Sequence, residues 1–243
     1  MSRRTTAIAA ALSVLALGSP LISSCSNSLA DISYVNRGAA KDKSGDHQGA
    51  IADYTKAIEI NPKDAKAYFG RGNAKSKLKD YQGAIADYTK AIEINPTYAI
   101  AYYNRGNAKH DIGDSQGSIA DYNKAIEINP QDADAYLNRG NAKGDLKDYQ
   151  GEIADYTKAI EVNPRYVDAY FNRGNTKGDL NHYQGAIADY NKAIEINPGF
   201  AKAYTNRGIY REVVNDLKGA CVDWRKALDL GDELPAEWVK NQC

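Results

Sequence analysis

The sequence predicts an all-α protein, a stack of six copies of one 34-residue helix–turn–helix unit closed by a short C-terminal helix. Three observations lead there. The first is a fixed period: Tyr34, Tyr68, Tyr102, Tyr136, Tyr170 and Tyr204 stand 34 residues apart, as do the Arg-Gly pairs from Arg37-Gly38 to Arg207-Gly208 and the prolines from Pro62 to Pro198. The second is that each unit holds two stretches with apolar or small residues at helical spacing. A lone pair of such helices cannot bury its apolar stripe, whereas stacked neighbours can. The third is a skewed composition of the kind copying produces, with 18 tyrosines against three phenylalanines and two tryptophans.

Residues 1–24 read as an export signal. Arg3 and Arg4 precede an uncharged, largely apolar run of 11 residues, Ala7 to Leu17, and a membrane span needs roughly 20. Two processing sites compete. Leu21-Ile22-Ser23-Ser24-Cys25 resembles the bacterial lipobox, whose cysteine takes the lipid; Ser28-Leu29-Ala30 resembles an ordinary small-x-small site, which would extend the signal to residue 30. The long stretch from Gly18 to Ala30 favours the lipobox, with Cys25 as the lipidation site and residues 25–30 as a short tether. The Ser-Arg-Arg start also resembles a twin-arginine signal, but lacks the apolar residues that follow the pair. The expected location is the cell envelope, as a membrane-anchored lipoprotein facing the periplasm; a soluble periplasmic or secreted protein is the alternative.

The units occupy residues 31–64, 65–98, 99–132, 133–166, 167–200 and 201–234 without an insertion. In unit two the first helix is expected from Ala65 to about Lys77 and the second from about Gly83 to Ile94. Asp80 precedes the second helix, where a carboxylate accepts from the free amides that open it. Aspartate holds this position in five units (Asp46, Asp80, Asp114, Asp148 and Asp216) and His182 replaces it in unit five. Such a cap is worth ~1 kcal/mol, so unit five is expected to fray first. Asn95-Pro96 stops the second helix, because the residue before proline avoids the helical region. After Gly231, residues 235–243 are expected to form a capping helix begun by Pro235.

With each unit numbered from 1 to 34 starting at Asp31, unit two carries Tyr68 at place 4, Gly72 at 8, Ala84 at 20, Tyr88 at 24, Ala91 at 27 and Pro96 at 32. This pattern resembles the tetratricopeptide repeat, and the resemblance extends over residues 31–234. It implies a right-handed α-solenoid that binds other proteins and is not an enzyme. The departures are Ser118 and Glu152 at place 20, Asp232 where proline is expected, arginine at place 7 and lysine or arginine at place 11. Those cations need partners inside a helix pair. Aspartate recurs at place 23 in every unit, so Arg71 with Asp87, Arg105 with Asp121 and Arg139 with Asp155 are read as rungs of an internal ladder. A basic stripe for an acidic ligand is the competing reading.

Equal numbers of Lys plus Arg and of Asp plus Glu, 31 each, argue against nucleic acid as the main ligand. His47, His110 and His182 share no face, no Cys-x-x-Cys or phosphate loop exists, and neither a metal, a cofactor nor a small-molecule substrate is expected. If Cys25 carries lipid, Cys221 and Cys243 are left as an even pair suited to a disulfide in an oxidising compartment; a buried free thiol plus a stray terminal cysteine is the bland alternative. The resemblance also implies a groove lined by first helices, with places 2, 5, 6, 9, 12 and 13 pointing in. Asparagine fills place 6 (Asn104, Asn138, Asn172) and place 9 (Asn73, Asn107, Asn141, Asn175) and is expected to pair with the backbone of an extended protein segment, although it is also a common filler there. Phe69, Tyr103, Leu137 and Phe171 at place 5 are expected to grip apolar side chains. At place 13 Lys43 and Lys77 give way to Asp111, Asp145 and Asp179, so the groove should run from cationic to anionic. The function expected is a scaffold or adaptor of the envelope. A self-associating structural solenoid and an assembly factor for a membrane complex are the alternatives.

Overall fold

The computed structural model describes the backbone from residue 20 to residue 243 and the side chains from residue 30. Residues 1–19, which hold most of the expected export signal, and the side chain of Cys25 lie outside that description. Thirteen helices and no strand make up the described chain. Unit one pairs α1 (Pro20–Lys43) with α2 (His47–Ile60), and unit two pairs α3 (Ala65–Lys77) with α4 (Tyr81–Ile94). The series continues with α5 (Ala99–Asp111) and α6 (Ser115–Ile128), α7 (Ala133–Asp145) and α8 (Tyr149–Val162), then α9 (Val167–Asp179) and α10 (Tyr183–Ile196). Unit six is α11 (Ala201–Val213) and α12 (Leu217–Asp229), and α13 (Ala236–Gln242) follows Pro235. The expected tether, residues 25–30, instead continues α1. No glycine or proline interrupts the chain between Pro20 and Gly38.

Each first helix packs on its own second helix, and each second helix on the next first helix. First helices also touch one another (α1 with α3, α3 with α5, α5 with α7, α9 with α11), while no two second helices pack comparably. The first helices therefore form the inner wall of the stack. Small residues allow the close approach. A Cβ at Gly106 would stand 2.8 Å from the Tyr122 ring, so glycine at place 8 seats the place-24 tyrosine against the helix backbone. Alanines at places 3, 10, 20 and 27, such as Ala67, Ala74, Ala84 and Ala91, are fully buried beside it.

The turns between paired helices rest on two devices. A residue in the left-handed region ends each first helix: Gly45, Lys79, Gly113, Lys147, Asn181 and Asn215, with φ between 61° and 89°. The following aspartate then caps the second helix, as Asp80 does by accepting from Gly83 N at 3.0 Å. His182 makes no such bond. At the far end α13 lies on α12, with the Trp238 ring 5.2 Å from that of Trp224, and a disulfide joins Cys221 to Cys243, whose Cα atoms are 5.5 Å apart.

Candidate functional site

Two ladders of polar side chains climb the first helices. The first is ionic. Arg105 at place 7 donates from Nε and Nη2 to both oxygens of Asp121, at 2.9 and 2.6 Å, and Lys109 at place 11 lies 2.8 Å from Asp121 Oδ2. The same three-residue rung recurs in all six units, at 2.5–2.9 Å, with Arg211 in the lysine's place in unit six. Every aspartate of the set is at most 4 % exposed. In unit one the Arg37 guanidinium bonded to Asp53, helped by Lys41, holds that carboxyl well below the usual range. Each guanidinium also rests on the place-4 tyrosine, 4.8–5.7 Å from the ring centroid. From unit two onward it reaches back to place 25 of the preceding unit, as Arg105 Nη1 does to Thr89 Oγ1 at 3.0 Å. The arginine–aspartate pairing follows the sequence pattern; the sharing of each aspartate with place 11 was missed, although arginine and lysine four residues apart fall on one helix face.

The second ladder is made of amides. In units two to five the hydroxyl of the buried place-24 tyrosine donates to the Oδ1 of the place-9 asparagine in its own unit: Tyr88 to Asn73, Tyr122 to Asn107, Tyr156 to Asn141 and Tyr190 to Asn175, at 2.7–2.8 Å. Burial pushes these four phenols up, so they remain protonated donors. The same Oδ1 accepts from Nδ2 of the next unit's place-6 asparagine: Asn104 to Asn73, Asn138 to Asn107, Asn172 to Asn141 and Asn206 to Asn175, at 2.9–3.3 Å. Half of the amide groups expected to face a ligand are therefore already bonded. What remains, without a partner among the described residues, is the Nδ2 of Asn73, Asn107, Asn141 and Asn175 and the Oδ1 of Asn104, Asn138 and Asn172.

These free groups border three like cavities of about 320 Å³, between units two and three, three and four, and four and five. The row is closed at both ends. Gly70 replaces asparagine at place 6 of unit two, and the Tyr54 ring covers it, 2.4 Å from where a Cβ would stand. Between units five and six Tyr210 lies over Gly178 and stacks on Tyr183 and Tyr190, with centroids 5.7 and 6.0 Å apart.

One expectation about the groove needs correction. Leu137 is buried in a core cluster with Tyr156, Ala159 and Ala169, while Phe69, Tyr103 and Phe171 are half-buried and packed on Tyr88, Tyr122 and Tyr190. Their area is spent on neighbouring helices rather than held open. At the first end Lys77 Nζ lies 2.8 Å from Asp42 Oδ2, and Lys43 is exposed. At the other end Asp111, Asp145 and Asp179 are exposed, and Asp145 Oδ2 lies 2.8 Å from His110 Nε2. The sequence pattern also missed Glu152, which reaches the cavity between units four and five.

Family models described as tetratricopeptide or TPR repeats match residues 65–98 and 167–200, 42–79 and 106–147, 87–120, and 133–166, together running from residue 42 to residue 200. The chain belongs to the tetratricopeptide repeat family. No curated protein matches this repeat protein in sequence. Among solved structures, one of MamA is 30% identical with a TM-score of 0.64, covering 68% of this chain and 96% of that one. YrrB, described as a TPR protein with an unusual peptide-binding site, is 26% identical with a TM-score of 0.65, covering 77% and 97%. The PilF protein of Pseudomonas aeruginosa, 17% identical with a TM-score of 0.73, covers 87% and 99% and shows the shared fold. Among the described residues no group of three or more His, Cys, Asp or Glu side chains could hold a metal ion, and no helix is long and apolar enough to cross a membrane.

Proposed function

We propose that this repeat protein is a non-enzymatic interaction scaffold that holds an extended segment of a partner protein along its first helices, at the cell envelope. The observation that carries the reading is the amide ladder. Its tyrosine-bonded place-9 asparagines are fixed in orientation and present Nδ2 donors, while the place-6 asparagines bonded to them present Oδ1 acceptors, along three cavities. A peptide backbone offers the complementary groups at every residue whatever its sequence, and rigid presentation lowers the entropy lost on binding. YrrB, similar in fold and 26% identical, is described as having a peptide-binding site. Self-association end to end is disfavoured by α13, which covers the last unit.

The place-9 asparagines are poor targets for a test, because each holds a buried tyrosine hydroxyl. The place-6 asparagines donate to them, and Asn138 also to Tyr103 Oη at 2.9 Å, so Asn104→Ala, Asn138→Ala and Asn172→Ala together leave every place-24 tyrosine bonded. A peptide selected on the protein from a random library should lose at least tenfold in affinity to this triple variant, with an unchanged circular dichroism spectrum. Equal affinity would place binding elsewhere.

Anchoring follows from the lipobox-like Leu21 to Cys25, and acylation of Cys25 would hold the stack at the membrane. Because α1 is helical there, the six residues from Cys25 to Asp31 rise only about 9 Å, so unit one would sit close to the bilayer. Cys25→Ala should move the protein to the soluble fraction; unchanged membrane association would rule the anchor out.

A further inference from the structure

The six units are near-identical, which makes each one a control for the others, and unit four breaks the pattern at place 20. Place 20 is a fully buried alanine or serine in units one, two, three, five and six (Ala50, Ala84, Ser118, Ala186 and Ala220). In unit four it is Glu152. Its carboxylate passes over the glycine at place 12, a residue unit five shares as Gly178: a Cβ on Gly144 would stand 2.8 Å from Glu152 Oε1. The side chain thus emerges into the cavity between units four and five, where its Oε1 lies 2.9 Å from Tyr156 Oη and competes with Asn141 Oδ1 for that hydroxyl's single proton. Burial pushes the Glu152 carboxyl up, and the charges of Asp179 and Asp145 push it the same way. Among the described residues no lysine or arginine is salt-bridged to any of the three.

A desolvated carboxylate is a cost to the fold, and the five other units show that the fold works without it. The two equivalent cavities show what the exchange adds. One presents Lys77, already paired with Asp42, and the next His110 beside Asp111. Only the third concentrates negative charge, and it does so within a concave site that also carries amide groups, the Thr176 residue and the half-exposed Tyr149. A cationic group with several N–H donors would find acceptors on different walls and an aromatic ring at the rim.

We propose that this third cavity receives a basic side chain of the bound protein segment, with Glu152 as the residue that selects it. The proposal rests on the groove being the binding site, and it fixes the register of the segment: one arginine or lysine lies between units four and five while the rest of the backbone runs along the amide ladder. The first two cavities impose no such demand.

The test uses two capped nine-residue peptides of alternating serine and alanine, one with a central arginine and the other with a central glutamine. Each is titrated into 15N-labelled protein while the backbone amide shifts are read. The arginine peptide should bind at least tenfold more tightly, with the largest shifts at Gly144 and Thr176. Glu152→Gln, and separately Glu152→Ala with the residue native to units two and five, should remove that preference and leave the glutamine peptide unaffected. Equal affinities in the wild type, or a preference that survives both substitutions, would overturn the basic-side-chain cavity while leaving the groove in place. Shifts at none of Asn73, Asn107 and Asn141 with either peptide would overturn the groove itself. Spermidine should move Gly144 and Thr176 less than the arginine peptide does; tighter spermidine binding would make the cavity a polyamine site and end the proposal.

Discussion

The ionic ladder and the amide ladder are built on the same first helices, from residues only two places apart, and they end in opposite states. In the ionic ladder each aspartate takes two cations, and each arginine is stacked on a tyrosine and, from unit two onward, bonded to the preceding unit. Nothing is left over, and the rung is nearly invariant through all six units. In the amide ladder each asparagine spends one end on its neighbour and keeps the other. It is also interrupted, by Gly70 at one end and Ile209 at the other. A saturated, uniform set of polar groups holds a solenoid together, whereas a half-satisfied one with sequence-specific limits marks where something else is to be held.

The comparison can be broken first at the ionic ladder. Asp121→Ala strands Arg105 and Lys109 in a partly buried site and should cost about 3–5 kcal/mol, read as a lowered urea midpoint by circular dichroism. A loss below about 1 kcal/mol would mean that the rung contributes little beyond a surface pair. The amide ladder should be less costly to break. Asn107→Ala removes the acceptor of the Tyr122 hydroxyl and should cost about 1–3 kcal/mol. Tyr122→Phe removes the donor as well, so the double variant should lose less than the sum of the two single changes; strict additivity would show that the tyrosine does not orient the asparagine.

Smaller effects sharpen the picture. His182→Asp supplies the missing cap and should add about 1 kcal/mol, with slower amide exchange over Tyr183 to Ala186. Unchanged exchange there would mean that the turn is held by packing. Glu152→Ala should stabilise by less than about 1 kcal/mol at neutral pH. Because burial raises this carboxyl, the folded protein keeps its proton to higher pH than the unfolded chain does. Stability falls as pH rises through that interval, so the gain from the substitution should vanish below the ordinary glutamate range. A gain that persists in acid would assign it to packing.

Much of this architecture is legible in the chain because a contact repeated six times leaves a repeated spacing. Arg105 and Asp121, 16 residues apart, recur with the same spacing in every unit, and so does the turn from Lys79 to Asp80. What the pattern hides is which end of a side chain is already occupied. Asparagine at place 9 looks free until the tyrosine 15 residues on is seen to donate to it, and Leu137 looks like a groove residue until α8 and α9 close over it. Glu152 was visible as a departure from the repeat. Its destination depends on a glycine eight residues earlier on the partner helix, which only the packed pair reveals.

Because Tyr54 closes one end of the groove and Tyr210 the other, its length is set by how many units lie between them, not by any residue inside it. A duplicate of unit three placed after the original would bring its own ionic rung, its own asparagine pair and its own cavity. It would meet, on both sides, neighbours shaped like those it already has. The length of segment the protein accommodates is then a counted quantity. Gain or loss of whole units would change it in steps, and each step would yield a chain whose interfaces resemble those already in this one.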